Sequence, residues 1–69
     1  MLKAGIYAHY KGNEYEVIEI ATHSETEEAM VVYRALYGEF GVWVRPLEMF
    51  DEMMDDGRKR FTFIRDKDV

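Results

Sequence analysis

A chain of 69 residues with a formal net charge of −5 has room for one hydrophobic core and no second domain, because domains cluster near ~100 to 150 residues. It contains no cysteine and only two histidines, His9 and His23, which excludes disulfides and thiolate zinc sites as stabilising supplements. The acidic balance disfavours nonspecific attraction to a phosphate backbone, and no apolar run approaches the ~18 residues of a membrane span.

The segment Met1-Leu2-Lys3-Ala4-Gly5 lacks the apolar stretch of a signal peptide, so the expected location is the cytoplasm. What remains to stabilise so small a fold is dense aromatic packing, for which 14% of the residues are available, or self-association as a homodimer. Charge is uneven along the chain. Residues 1–56 hold four basic and twelve acidic side chains, whereas residues 57–69 hold five basic ones (Arg58, Lys59, Arg60, Arg65, Lys67) and two acidic ones. The simplest reading of this basic tail is electrostatic complement to its own domain.

Gly5 to Tyr10 alternates and ends at Lys11-Gly12-Asn13, a hairpin signal. Glu14 to Thr22 is the return strand; pairing Tyr10 with about Tyr15 would set His9 opposite Glu16. Along that strand Tyr15 and Val17 share one face and Ile18 and Ile20 the other, which predicts a bulge or sharp bend where the apolar set changes sides. The polar run Thr22 to Glu28 is a loop, in which Ser24 and Glu27 have capping-box spacing for a single helical turn. Met30 to Tyr37 is a central strand, apolar on both faces apart from Arg34. Gly38-Glu39-Phe40-Gly41 turns the chain into the strand Val42-Trp43-Val44-Arg45, which Pro46 stops. Leu47, Phe50 and Met54 predict a short helix opened by Pro46 and ended by Gly57, with Glu48, Asp51, Glu52 and Asp55 outward. Phe61-Thr62-Phe63 is the last strand, and residues 65–69 form a frayed end. The expected fold is mainly β: a small five-stranded SH3-like barrel with one short helical turn before the last strand, as a single domain over residues 1–69.

The run Tyr10-Lys11-Gly12-Asn13-Glu14-Tyr15-Glu16-Val17, then His23-Ser24-Glu25-Thr26-Glu27, Val31-Val32-Tyr33 with Leu36-Tyr37-Gly38, Trp43-Val44-Arg45-Pro46 and Met49-Phe50 resembles the bacterial domain-of-unknown-function family 1653. The resemblance spans about residues 5–64. It implies a bacterial, cytoplasmic, stand-alone domain and carries no assigned activity.

Two groups of residues could bear chemistry. His23, Ser24, Glu25 and Thr26 gather an imidazole, two hydroxyls and a carboxylate in one loop, where binding groups commonly sit. Neighbouring residues of an extended chain point to opposite sides, so His23 is poorly placed to activate Ser24. The plainer role of the loop is to fix itself by side-chain bonds to backbone, with Ser24 as cap. Arg45 shares a face with Trp43, and Tyr33 and Tyr37 on the preceding strand could flank them. A guanidinium stacked on aromatic rings still offers a planar fork to a carboxylate or phosphate; in the plainer reading the rings are core and Arg45 pairs with Glu25 or Glu48. The acidic series Asp51, Glu52, Asp55 and Asp56 lacks the spacing of a calcium loop and reads as a solvated helix face, and no cofactor fingerprint is present.

The expected function is a noncatalytic binding module in which Tyr33, Tyr37, Trp43 and Arg45, rimmed by the loop from His23 to Thr26, accept a peptide segment of a protein partner or a small anionic ligand. No cofactor, metal or membrane is expected. The alternatives are a small hydrolase using His23 with Glu25, and nucleic-acid binding through the basic C-terminal segment.

Overall fold

The computed structural model describes residues 2–68. The chain runs through β1 (Gly5–His9), β2 (Glu14–Thr22), β3 (Ala29–Ala35), β4 (Val42–Pro46), α1 (Leu47–Phe50) and β5 (Phe61–Arg65). The strands form one antiparallel sheet of order β4-β3-β2-β1-β5. The mainly β architecture with a short helix before the last strand is thus as the sequence predicts. Closure is not: β4 and β5 are the ends of the sheet and no ladder joins them, so the expected barrel is left open. Among the described residues no helix is long and apolar enough to cross a membrane.

The β1-β2 hairpin closes with the His9 amide donating to the Asn13 carbonyl at 2.8 Å and the Gly12 amide to the His9 carbonyl at 2.7 Å. Gly12, at φ 108°, supplies the left-handed residue of a three-residue hairpin loop. Ala8 therefore opposes Glu14, and Tyr7 opposes Tyr15. The anticipated pairing of Tyr10 with Tyr15 is corrected, and Glu16 faces Ile6 rather than His9. His9 instead opposes Phe61 on β5 and lies edge-on to it at 4.9 Å.

The anticipated irregularity in β2 is present. The β2-β3 register shifts between Val17 and Glu19, so Ile18 is the extra residue and stands exposed. Beyond it, Ile20 rejoins Tyr15 and Val17 against the core. An inserted residue thus lets one strand keep its apolar side chains on one face despite the break in alternation.

Three rows of side chains cross that face. Trp43, Tyr33 and Val17 oppose one another and end at Gly5. Ala35, Tyr15, Tyr7 and Phe63 make the second row, and Arg45, Val31 and Ile20 the third. Gly5 has φ 143°, and a Cβ there would lie 2.7 Å from the Phe63 ring and 2.9 Å from the Arg65 carbonyl oxygen. Only glycine lets Phe63 fold over the strand at this point.

Phe50 fills the centre. Fully buried, it stacks on Phe61 with centroids 4.0 Å apart and planes 6° from parallel, and its ring also meets Tyr7 and Tyr33. Because α1 follows directly on β4 while Phe61 opens β5, this stack joins the two ends of the sheet without a ladder. The predicted helix is cut short at Phe50. Beyond it the chain forms a small hairpin in which Met53 bridges Lys59, the Met54 amide donates to the Arg58 carbonyl and the Gly57 amide to the Met54 carbonyl. Asp55-Asp56-Gly57, with Gly57 at φ 89°, is turn chemistry that overrides the helical spacing of Met54. At the C-terminal end Lys67 reaches Glu16; Val69, part of the expected frayed end, and Met1 lie outside the described residues.

Truncating Phe50 to alanine should cost about 3 to 5 kcal/mol, most of the stability of a chain this size, which is on the order of 3 to 10 kcal/mol. Urea unfolding should then lose its cooperative transition or shift it far down, whereas Phe40→Ala, at an exposed site, should stay within about 0.5 kcal/mol of the parent.

His9 generates a pH dependence. Its Nδ1 accepts from the Lys11 amide at 3.1 Å, and burial, then the charges of Lys11, Arg60 and Arg45, hold the imidazole below its ordinary value of 6.5. The folded chain therefore takes up this proton less readily than the unfolded one. Stability should be intact above pH 6.5 and decline as the pH falls through and below it. Urea midpoints measured against pH check this: His9→Gln should remove the step while leaving the carboxylate-linked loss near pH 4.

Candidate functional site

The turn before β4 sets up the site. Gly38 at φ 60° and Phe40 at φ 57° both adopt the left-handed conformation, which costs a side-chain-bearing residue about 1 to 2 kcal/mol. The Phe40 amide donates to the Tyr37 carbonyl at 3.1 Å and the Ala35 amide to the Gly41 carbonyl at 3.0 Å, which launches β4 alongside β3. The first three residues of the strand that follows are exposed: Val42 by 50%, Trp43 by 60% and Val44 by 62%. Among the described residues nothing pairs with its outer edge. Edge strands are ordinarily blunted by charges, bulges or proline, yet here such residues come only at the end, as Arg45 and Pro46.

Trp43 lies across Gly41, where a Cβ would approach the indole Nε1 to 3.3 Å. Glycine thus allows the ring to lie against the backbone. Beside it is a shallow cleft of about 520 Å³ lined by Ala35, Tyr37, Gly38, Glu39, Gly41 and Trp43. Of its lining residues, Tyr37 shares a hydrogen bond of 2.6 Å with the hydroxyl of Tyr15. Tyr15 in turn meets Tyr33, Phe61 and His9 edge-on, and burial, followed by the bond to Tyr37, pushes its hydroxyl up to about 12. The phenol is neutral at any physiological pH and serves Tyr37 as a hydrogen-bond partner.

Arg45 is half-buried, two residues along β4 on the Trp43 face. Its guanidinium carbon lies 5.8 Å from the Phe61 centroid, within cation-π range. The anticipated ion pair with Glu25 or Glu48 is not made, and among the described residues no carboxylate lies within 4.0 Å of it.

The predicted site residues fall into separate places. Tyr37 and Trp43 meet at the cleft, Arg45 lies farther along the same strand, and Tyr33 is buried in the core beneath them. His23, Ser24, Glu25 and Thr26 follow the last β2-β3 pair, Thr22 with Ala29. Trp43 opposes Tyr33, four positions farther up β3, so about 13 Å separates its row from the start of that loop. The loop does not rim the cleft. It is capped by His23 rather than by Ser24: His23 Nδ1 accepts from the Glu25 amide at 3.1 Å and the Thr26 amide at 3.3 Å. Ser24 Oγ donates to Glu25 Oε2 at 2.6 Å, and Glu27 takes φ 63° in place of the capping-box role. His23 Nδ1 is thus taken up by its own loop, and the Ser24 hydroxyl by Glu25 rather than by the imidazole.

The basic tail finds its acids at home. Arg58 pairs with Asp56 at 2.7 Å, Lys59 with Asp51 at 2.8 Å, Arg60 with Glu52 at 2.9 Å, Arg65 with Glu14 at 3.3 Å and Lys67 with Glu16 at 3.2 Å. Asp51, Glu52 and Asp56 are thus partners of this segment rather than a solvated helix face, and the Arg58 guanidinium holds the Asp56 carboxyl below its usual range. Reasoning from sequence missed Tyr15 as the hydrogen-bond partner that holds Tyr37, and Val42 and Val44 as exposed flanks. An uncharged Val-Trp-Val strand was the available signal, but a closed barrel would have hidden it.

The family model described as "Protein of unknown function (DUF1653)" matches residues 5–63. A crystal structure of a DUF1653 protein from Bordetella bronchiseptica is similar at 34% identity and a TM-score of 0.85, covering 94% of this chain and 90% of that one. No curated protein matches. With a family model spanning nearly all of its strands and a bacterial relative of the same fold, the chain belongs to the DUF1653 family.

Proposed function

We propose that this domain is a noncatalytic binding module whose β4 edge receives an extended segment of a protein partner. The observation that carries the reading is an edge strand whose outer side is unpaired among the described residues and which begins with three consecutive exposed apolar residues, Val42, Trp43 and Val44. An extended peptide added there would gain backbone hydrogen bonds, while alternate side chains meet the cleft between Tyr37 and Trp43. Arg45, with no acid paired to it among the described residues, is placed to bind a carboxylate of the same segment. The strand order fits an SH3-like barrel opened between β4 and β5, and the cysteine-free composition fits the cytoplasm.

A small anionic ligand held by Arg45 alone is the second reading, favoured by its lack of an ion-pair partner among the described residues. The His23 hydrolase finds less support, because the imidazole caps its own loop. A nucleic acid would have to displace the acids already paired with each basic residue of the tail.

Trp43 is the chain's single tryptophan, so its fluorescence reports occupancy of the edge. Extended peptides of about eight residues, alternating apolar positions and carrying one carboxylate, should quench or shift it saturably. N-methylation at alternate backbone positions should abolish binding, and Arg45→Ala should weaken carboxylate peptides by about tenfold or more while sparing their amide counterparts. Equal binding of N-methylated peptides would rule out strand addition, and tighter binding of inorganic phosphate or acetate than of any peptide would select the second reading.

A further inference from the structure

We infer that the segment which pairs with β4 is the β4 strand of a second copy of this chain, in an antiparallel, two-fold symmetric dimer centred on Trp43. The inference rests on the reading of β4 as a strand-accepting edge and adds the identity of the occupant.

Hydrogen-bond phase is the first argument. In an antiparallel ladder, residues whose amide and carbonyl face one neighbour alternate with residues whose groups face the other way. The Ala35 amide bonds the Gly41 carbonyl, and Tyr33 opposes Trp43 as Val31 opposes Arg45. Gly41, Trp43 and Arg45 therefore direct their backbone groups toward β3, and Val42 and Val44 direct theirs outward. A two-fold axis through Trp43 sets Val42 against the partner's Val44 and Val44 against the partner's Val42, so the outward groups meet only one another. The neighbouring registers do worse. Centring on Val44 sets Val42 against the partner's Pro46, which has no amide hydrogen. Centring on Val42 sets Val44 against the partner's Phe40, whose φ of 57° is not extended.

Side chains agree with this register. Val42-Trp43-Val44 reads the same in both directions, as an isologous contact requires of a self-complementary surface. The two Trp43 residues form a non-hydrogen-bonded pair, the closer of the two types at about 4.5 Å between Cα atoms. Both indoles, now exposed, would cover each other.

The distribution of charge is compatible with a second copy at this edge. Each copy is acidic overall, which opposes association in general, but Val42, Trp43 and Val44 carry no charge. Arg45 of one copy falls opposite the partner's Gly41, which offers no side chain to obstruct it. Among the described residues neither Arg45 nor Glu39, which lines the cleft beside Trp43, has an ion-pair partner within its own chain, so each copy brings one unpaired cation and one unpaired acid to this part of the surface.

Sedimentation equilibrium of the full chain from about 1 μM to 1 mM, spanning the range of weak to firm dimers, tests the inference. Twice the chain mass is expected toward the upper end. Val44→Pro removes an amide that faces away from β3, so the monomer should fold as before while the dimer weakens by about 30-fold or more. Val44→Lys, which puts a charge on the edge without altering the backbone, should do the same if proline perturbs the circular-dichroism melt. A chain that stays monomeric at 1 mM while peptides still shift Trp43 fluorescence overturns the dimer and leaves the β4 reading standing. Monomeric behaviour without peptide binding overturns both, and a dimer indifferent to both Val44 variants places the contact elsewhere and overturns this inference.

Discussion

The stack of Phe50 on Phe61 is the contact on which the rest of this molecule depends. A five-stranded sheet with unpaired ends has to bury one face against something, and the chain is too short to supply a second layer. What it supplies instead is a single turn of helix directly after the last residue of one end strand, carrying one phenylalanine back under the sheet to meet the first residue of the other end strand. Tyr7 and Tyr33 then gain a packing surface from both sides. The adjustments elsewhere serve this closure: the bulge at Ile18 keeps β2 facing inward, and Gly5 lets Phe63 fold across β1.

Closing the core with an aromatic stack rather than with a ladder has a consequence at the surface. In a closed barrel β4 would bond β5, and Trp43 and its valine neighbours would lie inside or along a paired strand. Here the chain leaves β4 for α1 and then spends residues 52–60 in a separate hairpin fastened by Lys59 to Asp51 and Arg60 to Glu52. By the time β5 begins, the route has passed beneath the sheet rather than along the β4 edge. The same contact that completes the core therefore leaves the edge free.

Much of this was legible in the sequence, and the failures have a common physical origin. Strand positions, the irregularity in β2 and the self-complementary basic tail follow from local alternation and charge, which the chain states residue by residue. The hairpin register, the cap of the polar loop and the end of the helix depend on which of several competent groups wins. Gly12 favoured a three-residue loop over the pairing of Tyr10 with Tyr15; His23 Nδ1 reached the amides that Ser24 could also have capped; Asp56-Gly57 turned a segment whose apolar spacing was helical. Of the candidate site, Tyr37, Trp43 and Arg45 were identified on one strand pair, but the His23 loop was drawn to them by the assumption of closure. Pairing order fixes which loops are neighbours, and one missing ladder was enough to set that loop at the wrong end of β3.

An exposed Val-Trp-Val edge is costly for a protein this small. Side chains of this kind contribute about 1.5 to 3 kcal/mol each when fully buried, and the chain has neither a disulfide nor spare core with which to offset the loss. Around that edge two residues hold the left-handed conformation, one of them a phenylalanine, and Gly41 gives up a side chain so that the indole can lie against the backbone. Strain and exposed apolar surface gathered at one place are characteristic of a site whose cost is returned on binding. Anything that covers β4 in the folded state and not in the unfolded one stabilises the domain in proportion to its occupancy. A strand added at β4 would bury these side chains, so the stability of the domain and the occupancy of its open edge would rise together.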